Sequence, residues 1–416
     1  MRNKNEYIIS IVSKIILVGL SFINSVLINR YLGPVLKGEY FYILNISNII
    51  TIIIGFNIAS SYPYFSKKYG LSIRQKLINI IFFQMGIYTL NAILLSFFIK
   101  NNLFIYIMII SILLQFSNQL DFMSIIDSIN KRNKITVIST FIYSSILFYL
   151  FFYTKNSLEY IVGALLLFNV IKSLLYIVNN KFIPLKILED SPSLFEIFRF
   201  SFFPMITSLL TTFNYNIDVV ILKLFVANSE IGMYSVGVTL AAMLWIIPDA
   251  FKEVLFNKTA KSDSIDAIVL SIKINVYISL IVILGFVFIG KNFISLVYGI
   301  EYLDAYNVSV ILLVGTIPMI FFKIINTLYL AIGKQKYSFY ILFISVLLNV
   351  VINFLMIPFL GIEGAAISSV LSYMICGIVM LISFNKKYEL SIKDIFLINS
   401  YEKEKIKSII LKKGMN

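Results

Sequence analysis

Apolar stretches of about 20 residues, the length a helix needs to cross a hydrocarbon core of ~30 Å, recur roughly every 35 residues along this chain. Lysines, arginines and turn residues gather in the short connections between them. The pattern predicts twelve spans. Six lie at 7–28, 40–62, 77–99, 103–126, 135–153 and 160–178, and six at 200–226, 231–247, 268–289, 308–332, 337–357 and 364–384. No connection is long enough to hold a soluble domain. In lipid, every backbone polar group must be satisfied within its own segment. The expected fold class is therefore an all-α, polytopic membrane protein.

Composition agrees: 59% of the 416 residues are hydrophobic and 13% charged, against about 25% charged in soluble domains. There is no histidine, which excludes His-type metal centres and Ser-His or Cys-His nucleophile pairs. The single cysteine, Cys376, lies in an apolar stretch and reads as a packing residue. No catalytic set, metal site or cofactor motif is found. The run 7–28 is longer than a signal-peptide core and has no small-residue cleavage site after it, so a retained first span is expected.

Charge sets the topology. With the N-terminus inside, 25 of the 35 Lys and Arg fall in cytoplasmic segments, five in outer ones and five in or beside spans. That asymmetry predicts an even number of spans with both termini cytoplasmic. It also accounts for the net charge of +14, since basic inner loops meet anionic lipid; no soluble part is left to bind nucleic acid. The organisation expected is an N-terminal lobe over 1–178, a cytoplasmic linker over 179–199, a C-terminal lobe over 200–384 and a basic tail over 385–416. Ser193 and Glu196 have capping-box spacing, and Leu194, Phe195, Ile197, Phe198 and Phe200 predict a short interfacial helix there. In the tail, Ile406, Ile409 and Ile410 are spaced for a surface helix, with a solvated tail as the alternative.

The halves repeat weakly. Gly38-x-Tyr40 aligns with Gly232-x-Tyr234 at an offset of 194, Asn130-Lys131-Arg132 with Gly333-Lys334-Gln335, and Gly163-Ala164 with Gly364-Ala365. Six spans per half is even, so the halves enter and leave on the same face. Duplication then relates them by a pseudo-two-fold axis along the membrane normal.

Ionisable residues within spans are costly and usually face protein or water. Snorkelling from helix ends explains Lys172 and Lys273, and in part Lys223. Lys14, Asp121, Asp218 and Lys323 remain, with Asp249 ambiguous because Pro248 can end its helix. The repeat pairs Asn24 with Asp218, Asn29 with Lys223 and Lys14 with Ser208. Ser10, Lys14, Ser21 and Ser25 form one polar stripe, and Ser201, Ser208, Thr211, Tyr215 and Asp218 another. Such stripes line a water-filled cleft or act as polar glue between helices. Lys323 lies mid-span, as a ligand-binding cation or in an ion pair with a carboxylate such as Asp121. Asn45, Asn48, Asn349 and Asn353 read first as interhelical glue.

These features resemble the polysaccharide flippases of the multidrug/oligosaccharidyl-lipid/polysaccharide exporter superfamily. The carrying segments are Arg30-Tyr-Leu-Gly-Pro34 with Gly38-x-Tyr40, Phe200-Ser-Phe-Phe-Pro204 with Asp218, and Glu230-Ile-Gly-Met-Tyr-Ser235. Asn349 and Asn353 followed by Ile357-Pro358 and Gly361-Ile-Glu-Gly364-Ala-Ala366 complete the set. The resemblance implies two six-helix lobes in a V around a central cavity, in a bacterial cytoplasmic membrane. It implies movement of polyprenyl-diphosphate-linked oligosaccharide to the outer leaflet by alternating access, with a polysaccharide polymerase and chain-length machinery as partners. Lys14, Asn24, Arg30, Asp218 and Lys323 are the substrate-binding candidates, and Asp121 or Asp218 the ion-coupling candidates. The peptidoglycan-lipid members carry denser basic residues in the central cavity than can be placed here, which favours an O-antigen, capsule or teichoic-type unit. The rivals are a drug/cation antiporter of the same superfamily and a membrane polysaccharide polymerase; short outer loops argue against the latter.

Overall fold

The computed structural model describes residues 2–185, 191–259, 265–332 and 334–397. Among these, thirteen α-helices and two short 3-10 turns account for the regular structure, with no strand. In order, the helices are α1 (Arg2–Gly55), α2 (Tyr62–Tyr69), α3 (Leu71–Phe98), α4 (Asn102–Asp127), α5 (Ile129–Tyr153), α6 (Leu158–Asn180) and α7 (Leu194–Phe225). They continue as α8 (Asn228–Leu244), α9 (Ile246–Thr259), α10 (Ile265–Val297), α11 (Ala305–Ala331), α12 (Gln335–Tyr388) and α13 (Ile392–Phe396).

Ten segments are long and apolar enough to cross a membrane. Two of them, α1 and α12, are each a pair of helices joined at a kink, which gives the twelve spans expected. The chain is a multi-pass integral membrane protein. The kinks occur where a loop was expected between spans. Gly33 (φ 66°) breaks α1 just before Pro34, and Gly361 (φ 54°) breaks α12 just after Pro358. Proline disfavours helical geometry in the residue before it, which applies at Gly33, and at both kinks glycine accepts a positive φ without a Cβ penalty. A single glycine thus interrupts the helix at each place where a loop of several residues was expected.

The compact units are 1–223 with 227–232, and 224–226 with 233–416. Most of α7, which the sequence places in the C-terminal lobe, thus groups with the first unit. The predicted capping box is present: the Ser193 amide donates to Glu196 Oε2 at 2.7 Å and the Glu196 amide to Ser193 Oγ at 3.2 Å. The helix it starts does not stop at the interface, however; it runs on as the whole of α7. Its residues are apolar on both sides of the expected break, and Pro204 is accommodated inside it.

The first unit has two apolar cores. One, around Tyr31, Tyr40, Tyr143, Leu147 and Leu158, lies towards the lysine-poor end. The other, around Ile58, Phe65, Ile73, Leu120 and Phe182, lies towards the basic end. In the second unit Leu244, Ile283 and Leu313 pack together, and the two halves of α12 are tied by Ser345 Oγ donating to the Ser372 carbonyl at 2.8 Å. Of the predicted glue asparagines, Asn45 and Asn353 bond their own helices, to Phe41 O at 2.8 Å and Asn349 O at 2.9 Å. Beyond α12, Tyr277 donates to the Phe396 carbonyl at 2.8 Å and Ile395 is buried, which docks α13. The predicted tail helix at Ile406–Ile410 lies outside the described residues.

Candidate functional site

In the first unit the two repeat elements meet. A Cβ on Gly38 would overlap the Asn228 carbonyl, and one on Gly232 would overlap the Pro34 carbonyl. Position 34 is to 228 as 38 is to 232, at the same offset of 194. A contact in which i touches j′ and j touches i′ is the signature of a two-fold. The duplication read from Gly-x-Tyr is thus a reciprocal backbone contact that tolerates only glycine at both positions.

The polar stripes lie on α1 and α7. Asn24 is buried, and its Oδ1 has no hydrogen-bond partner among the described residues. Asn29 donates to the Ser25 carbonyl at 2.7 Å. Asp218 is 1% exposed, with Oδ1 accepting from the Val219 amide at 2.8 Å. Ser208, the repeat counterpart of Lys14, accepts from Asn57 at 3.2 Å. Lys14 is half-buried and Arg30 exposed. Lys223 donates to Asn228 Oδ1 and packs over the Tyr42 ring at 5.5 Å.

Asp121 sits in a dense network that joins three helices. Arg132 of α5 donates from Nε at 3.2 Å and Nη2 at 3.1 Å, and Lys172 of α6 lies at 3.7 Å. Tyr176 donates its hydroxyl to the same carboxylate. The expectation that Lys172 snorkels is corrected: its ammonium turns inward because a carboxylate is there to meet it. Lys273 is corrected too, since it is 2% exposed. Nearby, Asp127 accepts from Tyr62 at 2.6 Å and Arg74 at 2.8 Å.

Lys323 does not use Asp121. In the second unit its Nζ meets both oxygens of Asp249, at 3.0 and 2.9 Å, and lies 4.7 Å from the centre of the Trp245 ring. Pro248 follows the end of α8 at Leu244 by four residues and does not interrupt α9. It sits in the first turn of α9, where its missing N–H costs nothing, and this places Asp249 at a helix N-terminus suited to a carboxylate. The pair is asymmetric: the Lys323 side chain is 11% exposed and that of Asp249 52%. Sequence reasoning missed this partner and the ring beside it. The one available signal was the chain's only tryptophan, four residues before the ambiguous aspartate.

Residues 4–256 match the family model described as a polysaccharide biosynthesis protein. No curated protein matches the sequence significantly. Among solved structures, the lipid II flippase MurJ in an inward closed conformation is similar over 93% of this chain and 89% of its own, with a TM-score of 0.73 and 18% identity. An inward-facing multidrug resistance MATE family transporter of the MOP superfamily is similar over 88% and 94%, with a TM-score of 0.66 and 13% identity. A MOP superfamily transporter from Pyrococcus furiosus is similar over 92% and 94%, with a TM-score of 0.59 and 14% identity. The fold is that of these transporters.

Proposed function

Because this chain belongs to the polysaccharide biosynthesis protein family, we propose that it is a flippase that moves polyprenyl-diphosphate-linked oligosaccharide repeat units across the bacterial cytoplasmic membrane by alternating access. The observation that carries it is Lys323. An interior cation is held by a carboxylate that is half exposed. A diphosphate presents the same oxygen geometry with more charge, so it can replace Asp249 at the ammonium. In the first unit, Lys14 and Arg30 are the further cationic candidates for the substrate, and Asn24, whose Oδ1 is buried and unpaired among the described residues, is a candidate acceptor for a sugar hydroxyl. Asp218 is the ion-coupling candidate this reading keeps. Asp121 is assigned to holding α4, α5 and α6 together, because three side chains, Arg132, Lys172 and Tyr176, already satisfy it.

In cells that depend on this protein for surface polysaccharide, Lys323→Ala is expected to reduce export about 10- to 100-fold, the loss of one charge-assisted contact. Lys14→Ala should reduce it less, and the protein level should not change in either. Normal export in both variants would overturn the site assignment. The half-exposed Asp249 also suits an organic cation, as in a drug antiporter. That reading predicts efflux of cationic dyes, lost in Asp249→Asn, with no effect on polysaccharide export.

A further inference from the structure

The second unit carries a basic cavity that the proposed transport site does not use. It is open to the surface, has a volume of about 470 Å³ and is lined by Tyr329 of α11, Lys334, Lys336 and Tyr337 at the start of α12, and Ser383, Lys386 and Lys387 at its end. Its volume is within the range of small-ligand sites, about 300–1,000 Å³. Four lysines line it, two from the start of α12 and two from its end, and no lining residue is acidic. Like charges gathered in a concavity repel, so the arrangement is at its most favourable when an anion fills it.

The walls are also ordered for binding. Tyr329 and Ser383 share a hydrogen bond of 3.1 Å, which puts two hydroxyls side by side. Lys387 is steered by the rings of Tyr329, at 5.8 Å, and Tyr388, at 4.6 Å. The first turn of α12 holds no carboxylate. Its positive dipole end therefore adds to Lys334 and Lys336 instead of being offset. Scattered surface lysines at the basic end would explain the charge alone, but not its convergence with paired hydroxyls and a helix start.

We infer that this cavity is a binding site for a phosphate-bearing anion at the basic face of the second unit, separate from Lys323. Two sources share that chemistry: the headgroup of an anionic phospholipid and a soluble phosphate or diphosphate.

The test is native mass spectrometry of the full-length purified protein, titrated in parallel with phosphatidylglycerol, phosphatidylcholine and inorganic pyrophosphate. The wild type is expected to take up phosphatidylglycerol or pyrophosphate in preference to phosphatidylcholine. Lys336→Gln combined with Lys386→Gln should weaken that binding ~25-fold, from about 1 kcal/mol per lysine at a membrane surface, with an unchanged melting temperature. Should the double variant not purify, Lys386→Gln alone serves, with ~5-fold weaker binding expected. Preference for the lipid identifies a headgroup site, and equal or tighter pyrophosphate binding a soluble ligand. Wild type and variants binding all three probes alike would overturn the inference.

Discussion

The basic ends of the two units have similar charge patterns in sequence and opposite fates in structure. In the first, Asp121 gathers Arg132 and Lys172, and Asp127 gathers Arg74. The cations there are committed to holding α3, α4, α5 and α6. In the second, Lys334, Lys336, Lys386 and Lys387 line one cavity with no carboxylate among its walls. A count of lysines and arginines treats these ends alike, because it registers only which side of the membrane they occupy. What separates structural charge from charge available to a ligand is whether an acid faces it.

The sharpest way to break this contrast is to remove the acid. Asp121→Ala strands Arg132 and Lys172 in a largely buried site and is expected to cost about 3–5 kcal/mol, as for other broken interior ion pairs. Thermal unfolding in detergent would register it, and a melting temperature near wild type would contradict the structural role. Gly38→Ala attacks the repeat contact instead. Its Cβ meets backbone, not a movable side chain, so a loss of about 1–3 kcal/mol is expected, with a similar loss for Gly232→Ala if the contact is reciprocal. Unequal losses would argue against the two-fold.

Lys323→Ala lies between the two regimes. It leaves Asp249 half exposed, so a stability change of only about 1 kcal/mol is expected beside the large transport defect. The smallest effect concerns α13. Hydrogen bonds from the Ser391 hydroxyl and amide, with a contribution from Lys273, hold the Asp394 carboxyl below its ordinary value. A group with a lowered folded pKa stabilises above its ordinary pKa and loses that contribution as pH falls through the lowered one. The protection of the Ile392–Phe396 amides, measured relative to their intrinsic exchange rate at each pH, should therefore fall on acidification, whereas Asp394→Asn should show low protection at every pH.

The twelve spans were legible because hydropathy reports depth in the membrane, and every span found a helix. The capping box at Ser193 and the Gly-x-Tyr repeat were legible for the same reason: both are local patterns with a local cause. The continuity of α7 was not, since a helix can run through an interface without any change in its periodicity. Nor was the rotation of each helix about its axis. These helices are apolar nearly all round, so nothing in the pattern tells which flank meets a neighbour. That is why Lys323 could be placed mid-span but not matched to Asp249, 74 positions away. It is also why Lys172 was read as reaching for the interface when it meets Asp121 on a neighbouring helix.

The most direct measurement is initial-rate translocation in proteoliposomes containing only the purified protein, with a fluorescent polyprenyl-diphosphate oligosaccharide in one leaflet. The account predicts protein-dependent movement of that lipid, at least tenfold slower in Lys323→Ala and close to wild type in Lys336→Gln. Movement no faster than in empty liposomes, in vesicles where the same protein transports an organic cation, would contradict it.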